Sequence, residues 1–184
     1  MPKITYDDLE EHFHLLRTAP EKYLALAEEL IHAEPDGSDG YWSRYQALRS
    51  LKRYEEALAD LNKVLSIEQA SPDPDSFRRR EREWVTYLAR GNVLRALGRY
   101  REALDDFNRT QRLDPGPWEG TLTPLFRAEC HARLGNEEAA LADCAALSDD
   151  HWTPGHLGAP KGSKAEVIAE IRRLAAKARR GPSA

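Results

Sequence analysis

An arginine precedes an aspartate by sixteen residues at three places in this chain: Arg44 and Asp60, Arg90 and Asp106, Arg127 and Asp143. The surrounding segments align in the same register without a gap. Leu51, Leu97 and Leu134 share one column, followed by Ala57, Ala103 and Ala140 and then by Leu58, Leu104 and Leu141. Leu61, Phe107 and Cys144 come next after the aspartates. A register kept through three segments is an internal repeat, and it constrains the fold before any other feature is weighed.

Each copy reads as helix, turn, helix. The alanine column marks where the second helix must approach the first closely, since a larger side chain would push them apart. The leucine and Leu/Phe columns supply an apolar stripe at helical period. Gly98 and Gly135 fall where one helix ends and the next begins, in a turn that tolerates left-handed backbone; Lys52 holds that place in the first copy. Pro115 ends the second helix of its copy, because its ring and missing donor cannot continue one. Abundant Ala, Leu, Glu and Arg, with little Ile, Val or Thr, favour helix over sheet.

With Gly91, Gly98, Tyr100, Ala103, Phe107 and Pro115, the middle copy resembles the tetratricopeptide repeat (TPR), a helix–turn–helix unit of about 34 residues. The first copy keeps Tyr54 and Ala57 but has Tyr45 at the family's first glycine position. The third keeps Gly135 and Ala140, with Glu137 at the tyrosine and Trp152 at the proline position. The copies are expected at 38–71, 84–117 and 121–154, with an insertion at 72–83. Within it "SPDPDS" reads as loop and "FRRREREW" as an extension of the next helix. The resemblance implies an all-α fold: a right-handed superhelix of antiparallel helical hairpins, a TPR-like α-solenoid with a C-terminal capping helix. The Arg–Asp columns resemble the family variant in which these side chains pair between the two helices of a unit, so they read as salt bridges.

Residues 1–37 read as an N-terminal helical hairpin, either a divergent repeat or a cap. Thr5 with Asp8 and Thr18 with Glu21 could box its helix starts, and Pro20 falls in the first turn of the second helix. Residues 155–184 form a Gly/Pro connector and a basic capping helix at about 164–180, started by a Ser163–Glu166 box. Its apolar stripe is Val167, Ile171, Leu174 and Ala178.

The formal net charge of −4 is too mild to imply a nucleic-acid or membrane partner. It covers an asymmetry, with an acidic first 35 residues and a basic stretch at 160–180. No segment approaches eighteen consecutive apolar residues and the start lacks a signal-like apolar core, so a cytoplasmic protein is expected. "GAPKGSK" lacks the GK[ST] order of a phosphate loop and follows no strand. The six histidines form no motif: His12 and His14 are expected on different faces of a helix, and His151 and His156 lack a partner at a recognised spacing. Cys130 and His131 are sequence neighbours and cannot form a dyad on a helix, while Cys144 reads as a small core residue. No catalytic residue, metal site or cofactor is expected.

What the resemblance implies instead is a groove lined by the first helix of each unit. Carried over column by column, the groove residues are Trp42, Gln46 and Arg49; then Leu88, Asn92 and Arg95; then Leu125, Phe126, Glu129 and Arg133. The family's carboxylate clamp is absent, since Trp42, Gln46, Ala89, Leu122 and Phe126 occupy its positions. The expected function is a non-catalytic protein-interaction module, adaptor or chaperone-like, binding a peptide segment or a partner's helix. Apolar anchors would be Trp42, Leu88 and Phe126, with an acidic group near Arg49 and Arg95. Small stand-alone bacterial members of the family also resemble immunity or antitoxin-like proteins that cap a toxin or enzyme, which is the alternative. A structural self-assembling subunit is a third, from the acidic start and basic end. The expected state is a monomer or weak homo-oligomer with a protein or peptide partner.

Overall fold

Lys52, Gly98 and Gly135 adopt φ of 60°, 76° and 82° at the same position of three successive helical hairpins. Around each, the backbone closes in the same way. The N–H of Lys52 donates to Arg49 and that of Arg53 to Leu48; Gly98 and Arg99 donate to Arg95 and Leu94; Gly135 and Asn136 donate to Ala132 and His131. This doubled closure satisfies the last carbonyls of the first helix and needs a left-handed residue at its centre. Two copies use glycine there. The first forces a lysine into a conformation that costs a side chain about 1–2 kcal/mol.

The computed structural model describes residues 5–70, 77–113, 122–153 and 159–180. In chain order its elements are α1 (Tyr6–Glu11), α2 (Leu15–Thr18), α3 (Pro20–Ala33), α4 (Ser38–Ser50), α5 (Tyr54–Gln69) and α6 (Phe77–Ala96). There follow α7 (Tyr100–Leu113), α8 (Thr123–Arg133), α9 (Glu137–Ala145), β1 (Trp152–Thr153), β2 (Gly162–Ser163) and α10 (Lys164–Arg180). The repeated hairpins are α4–α5, α6–α7 and α8–α9, and the architecture is all-α apart from the two-residue strands. Pro115, the "SPDPDS" loop and His156 lie outside the described residues. No helix among the described residues is long and apolar enough to cross a membrane.

The chain divides into two units, Met1–Thr86 and Tyr87–Ala184, with α6 beginning in the first and ending in the second. In the first unit α4 packs against α3 and α5, and α1 and α2 pack on α3 and α4. Leu9, Tyr23, Leu30 and Ala47 form a buried cluster there, flanked by Tyr6, Leu15, Leu16, Leu24 and Leu26. Thr5 and Asp8 make the expected capping box at α1. Thr18 does not cap α3: it ends α2, its hydroxyl donates to the His14 carbonyl, and Ala19 is the N-cap without a side-chain bond. Pro20 at the first position compensates, because its missing N–H removes one donor that a cap would otherwise have to satisfy. His12 and His14 are not on different faces of one helix. The helix ends at Glu11, and in the turn that follows their rings stack with centroids 6.4 Å apart.

In the second unit α8 is packed by α7, α9 and α10. Gly91 of α6 lies against Phe107 of α7; a Cβ at Gly91 would be 2.7 Å from the ring. The alanine column is fully buried in every hairpin at Ala57, Ala103 and Ala140. Cys144 is buried as well, and burial pushes its thiol up to about 11 and that of Cys130 to about 12, so both stay neutral.

Helix α10 closes this unit. Its buried stripe is Val167, Ile171, Leu174 and Ala175, with Ala178 only half-buried, so the apolar face turns more sharply than expected. Ser163 and Glu166 form the expected reciprocal box. Lys164 donates to the Leu147 carbonyl beyond the end of α9 (2.6 Å), and Arg179 pairs with Glu137 at its start (2.6 Å). The helix therefore runs antiparallel to α9. The antiparallel pairing of Trp152 with Ser163 and Thr153 with Gly162 was not anticipated in a helical chain. It delivers Ser163 to the helix start, with Gly162 at φ 105° making the turn.

Candidate functional site

The repeated Arg–Asp columns are internal ion pairs. Arg44 grips both oxygens of Asp60 through Nε (2.9 Å) and Nη2 (2.6 Å), and Arg90 grips Asp106 in the same way at 2.7 Å each. Each aspartate is buried while its arginine stays partly exposed. The third pair is looser: Arg127 meets Asp143 at 2.9 and 3.2 Å and also donates to Gln111. Burial raises the pKa of Asp143 despite Arg127, and it lowers that of His131, whose ring lies 3.9 Å from the same carboxylate. These side chains tie the second helix of each hairpin to the first.

The face of α4 opposite these pairs holds Trp42, Gln46 and Arg49, at helical spacing and all half-buried. Tyr45 supports them from beneath, 3% exposed, with its ring 5.2 Å from that of Trp42. The Arg49 guanidinium lies 5.6 Å over the Tyr45 ring. Burial raises the Tyr45 pKa, opposed by the charge and hydrogen bond of Arg49. Among the described residues Arg49 meets no carboxylate. The result is a cation held in place by an aromatic ring, beside a partly exposed indole and an amide.

In the second unit Leu88 and Asn92 of α6 are likewise half-buried. The Asn92 amide donates to the Leu88 carbonyl at 3.0 Å, while its buried Oδ1 has no hydrogen-bond partner among the described residues. The remaining expected groove residues behave differently. Arg95 is 4% exposed, its Nη1 lies 2.5 Å from Glu129 and its guanidinium lies 4.6 Å over the Phe126 ring. Leu125 and Phe126 are buried too, and Phe126 packs 6.2 Å from Phe107. Arg133 is exposed but bonded to Glu129 at 3.3 Å and placed over Tyr100. Arg95, Leu125, Phe126 and Glu129 are therefore buried within this unit, unlike Trp42, Gln46 and Arg49 of α4. Eight of the eleven residues of α8 are buried because neighbours cover the helix on several sides. A sequence signal for this existed: Arg95 and Glu129 are opposite charges 34 residues apart, one repeat length.

A repeated aromatic–cation clamp, which no sequence motif announces, is also present. Tyr41 is flanked by Arg44 (5.8 Å) and Lys63 (5.7 Å), and Tyr87, 46 residues on, by Arg90 (5.4 Å) and Arg109 (5.3 Å). Pro124 occupies the corresponding place in the third copy, which has no such clamp. Among the described residues no three His, Cys, Asp or Glu side chains converge as a metal set.

Two models of the tetratricopeptide repeat match the chain, at residues 84–117 and 46–71. No curated protein matches it in sequence. Among solved structures, that of YrrB, described as a TPR protein with an unusual peptide-binding site, superposes with a TM-score of 0.58. The match covers 79% of this chain and 68% of that one at 19% identity, a likeness of fold.

Proposed function

Because the chain belongs to the tetratricopeptide-repeat family, a protein-interaction fold that is generally non-catalytic, we propose that it is an adaptor or chaperone-like module that binds a peptide segment or partner helix. The observation that carries this reading is Arg49, a half-buried cation that meets no carboxylate among the described residues and is held on Tyr45 beside Trp42. A partner carboxylate would supply the charge-assisted bond that the chain itself withholds, and an apolar side chain beside it would cover the indole. YrrB is described as having a peptide-binding site, which supports a peptide as the ligand class here. Two free, buried cysteines suit a reducing compartment such as the cytoplasm.

The test is selection from a displayed random-peptide library, followed by titration of the best synthetic peptide. Enriched peptides should pair an acidic residue with a nearby large apolar one. A double Trp42→Ala, Arg49→Ala variant should lose at least about tenfold in affinity with its thermal unfolding unchanged. Undiminished binding by that variant would refute this reading of the α4 face.

A further inference from the structure

A cavity of about 190 Å³ opens in the first unit, among α3, α4 and α5, on residues that the α4 binding face does not use. Arg44 and Arg53 contribute guanidinium groups, and each is engaged through two of its three nitrogens. Arg44 spends Nε and Nη2 on Asp60; Arg53 spends Nε and Nη2 on Glu56, at 2.6 Å each. Neither Nη1 has a partner among the described residues. Glu28 of α3 lines the same cavity, and among the described residues its carboxylate makes no hydrogen bond or ion pair. Its field is nonetheless felt. Both arginines have raised pKa values, Arg44 chiefly through its hydrogen bonds to Asp60 and Arg53 through those to Glu56, with Glu28 adding to each. The remaining wall is apolar, from Leu48 and Ala59. In the second copy Asp105 replaces Ala59 and in the third His131 replaces Leu48, so the paired Leu48–Ala59 wall belongs to the first copy alone.

We propose that this cavity is a binding site for a small zwitterion of the α-amino-acid class. Two unspent guanidinium edges can receive a carboxylate, and one unpaired carboxylate can receive an ammonium. A ligand carrying only one of these charges would leave the other side of the site unanswered. The volume is below the roughly 300–1,000 Å³ of sites for larger organic ligands, which restricts the side chain to a short one resting on Leu48 and Ala59. Binding here would place a metabolite sensor on the hairpin next to the partner-binding face, on residues of its own.

The experiment is a titration of the ¹⁵N-labelled full chain with L-alanine, ethylammonium and propionate in parallel, followed through the backbone amides of Glu28, Leu48 and Ala59. L-Alanine should give saturable shifts at these amides at millimolar concentration, and the two half-ligands should not. Glu28→Gln and Arg53→Gln alter exposed side chains, so each should keep the native spectrum elsewhere while weakening L-alanine at least about tenfold. The proposal is overturned if L-alanine gives no saturable shift, if either half-ligand matches it, or if both variants bind it undiminished.

Discussion

Arg95 and Glu129 form an ion pair inside the second unit, 2.5 Å apart and 4% and 3% exposed. Taking two charges out of water is costly, and the pair persists because each neutralises the other while Phe126 covers the guanidinium and Arg133 adds a second bond to Glu129. Truncating one partner leaves a buried charge, so Arg95→Ala and Glu129→Ala should each lower stability by about 3–5 kcal/mol. An Arg95→Met, Glu129→Leu double variant should lose much less than the sum of the two. Urea unfolding of the two single variants and the double variant measures this. Additive losses would mean that the two groups act separately.

This pair also marks where the sequence stops being readable. The Arg–Asp columns were legible because each pair lies within one hairpin and recurs in every copy, so the alignment alone names both partners. The turn at Lys52 was legible for the same reason. Arg95 occupies the same column as Arg49, yet Arg49 stays half-exposed while Arg95 is buried. The difference comes from how α8 is packed by its neighbours, which no pattern within a single hairpin specifies. Trp42, Gln46, Leu88 and Asn92 keep the partial exposure that a binding role requires. The β1–β2 pairing left no periodic trace, being two residues long on each side, and the cavity at Glu28 needs three helices to exist.

Lys52 is a residue where the sequence departs from its own repeat, and the departure has a cost. At φ 60° it occupies the position that Gly98 and Gly135 fill without penalty. Lys52→Gly should stabilise the chain by about 0.5–1 kcal/mol, since relief of the left-handed strain exceeds the added freedom of the unfolded chain. Gly98→Ala should destabilise by about 1 kcal/mol for the converse reason. Thermal unfolding of the two variants should show shifts of opposite sign.

Gly91 is fixed by contact rather than by backbone angle. A methyl group there would meet the Phe107 ring at 2.7 Å, and Phe107 is fully buried, so it has little room to yield. Gly91→Ala should therefore destabilise by about 1–3 kcal/mol, although alanine is the better helix former. Pairing it with Phe107→Leu should recover part of the loss, because the first copy already carries Leu61 opposite Tyr45. Denaturant midpoints of the single and double variants decide the matter.

His131 makes the second unit sensitive to mild acid. Burial lowers its pKa below the ordinary 6.5, with Asp143 pulling it back up and Arg127 pushing it further down. Between the folded and unfolded values the unfolded chain binds the extra proton, so stability is complete above 6.5 and declines as pH falls through and below it. Asp143 acts with the opposite sign in a lower window. Burial raises its pKa above the ordinary 3.8, so just above that value the folded chain binds the proton and acid favours it. Urea midpoints measured from pH 7.5 downward should thus fall first through His131, and His131→Gln should flatten that first decline while leaving the plateau near neutrality in place. An unchanged pH profile in the glutamine variant would remove His131 as its source.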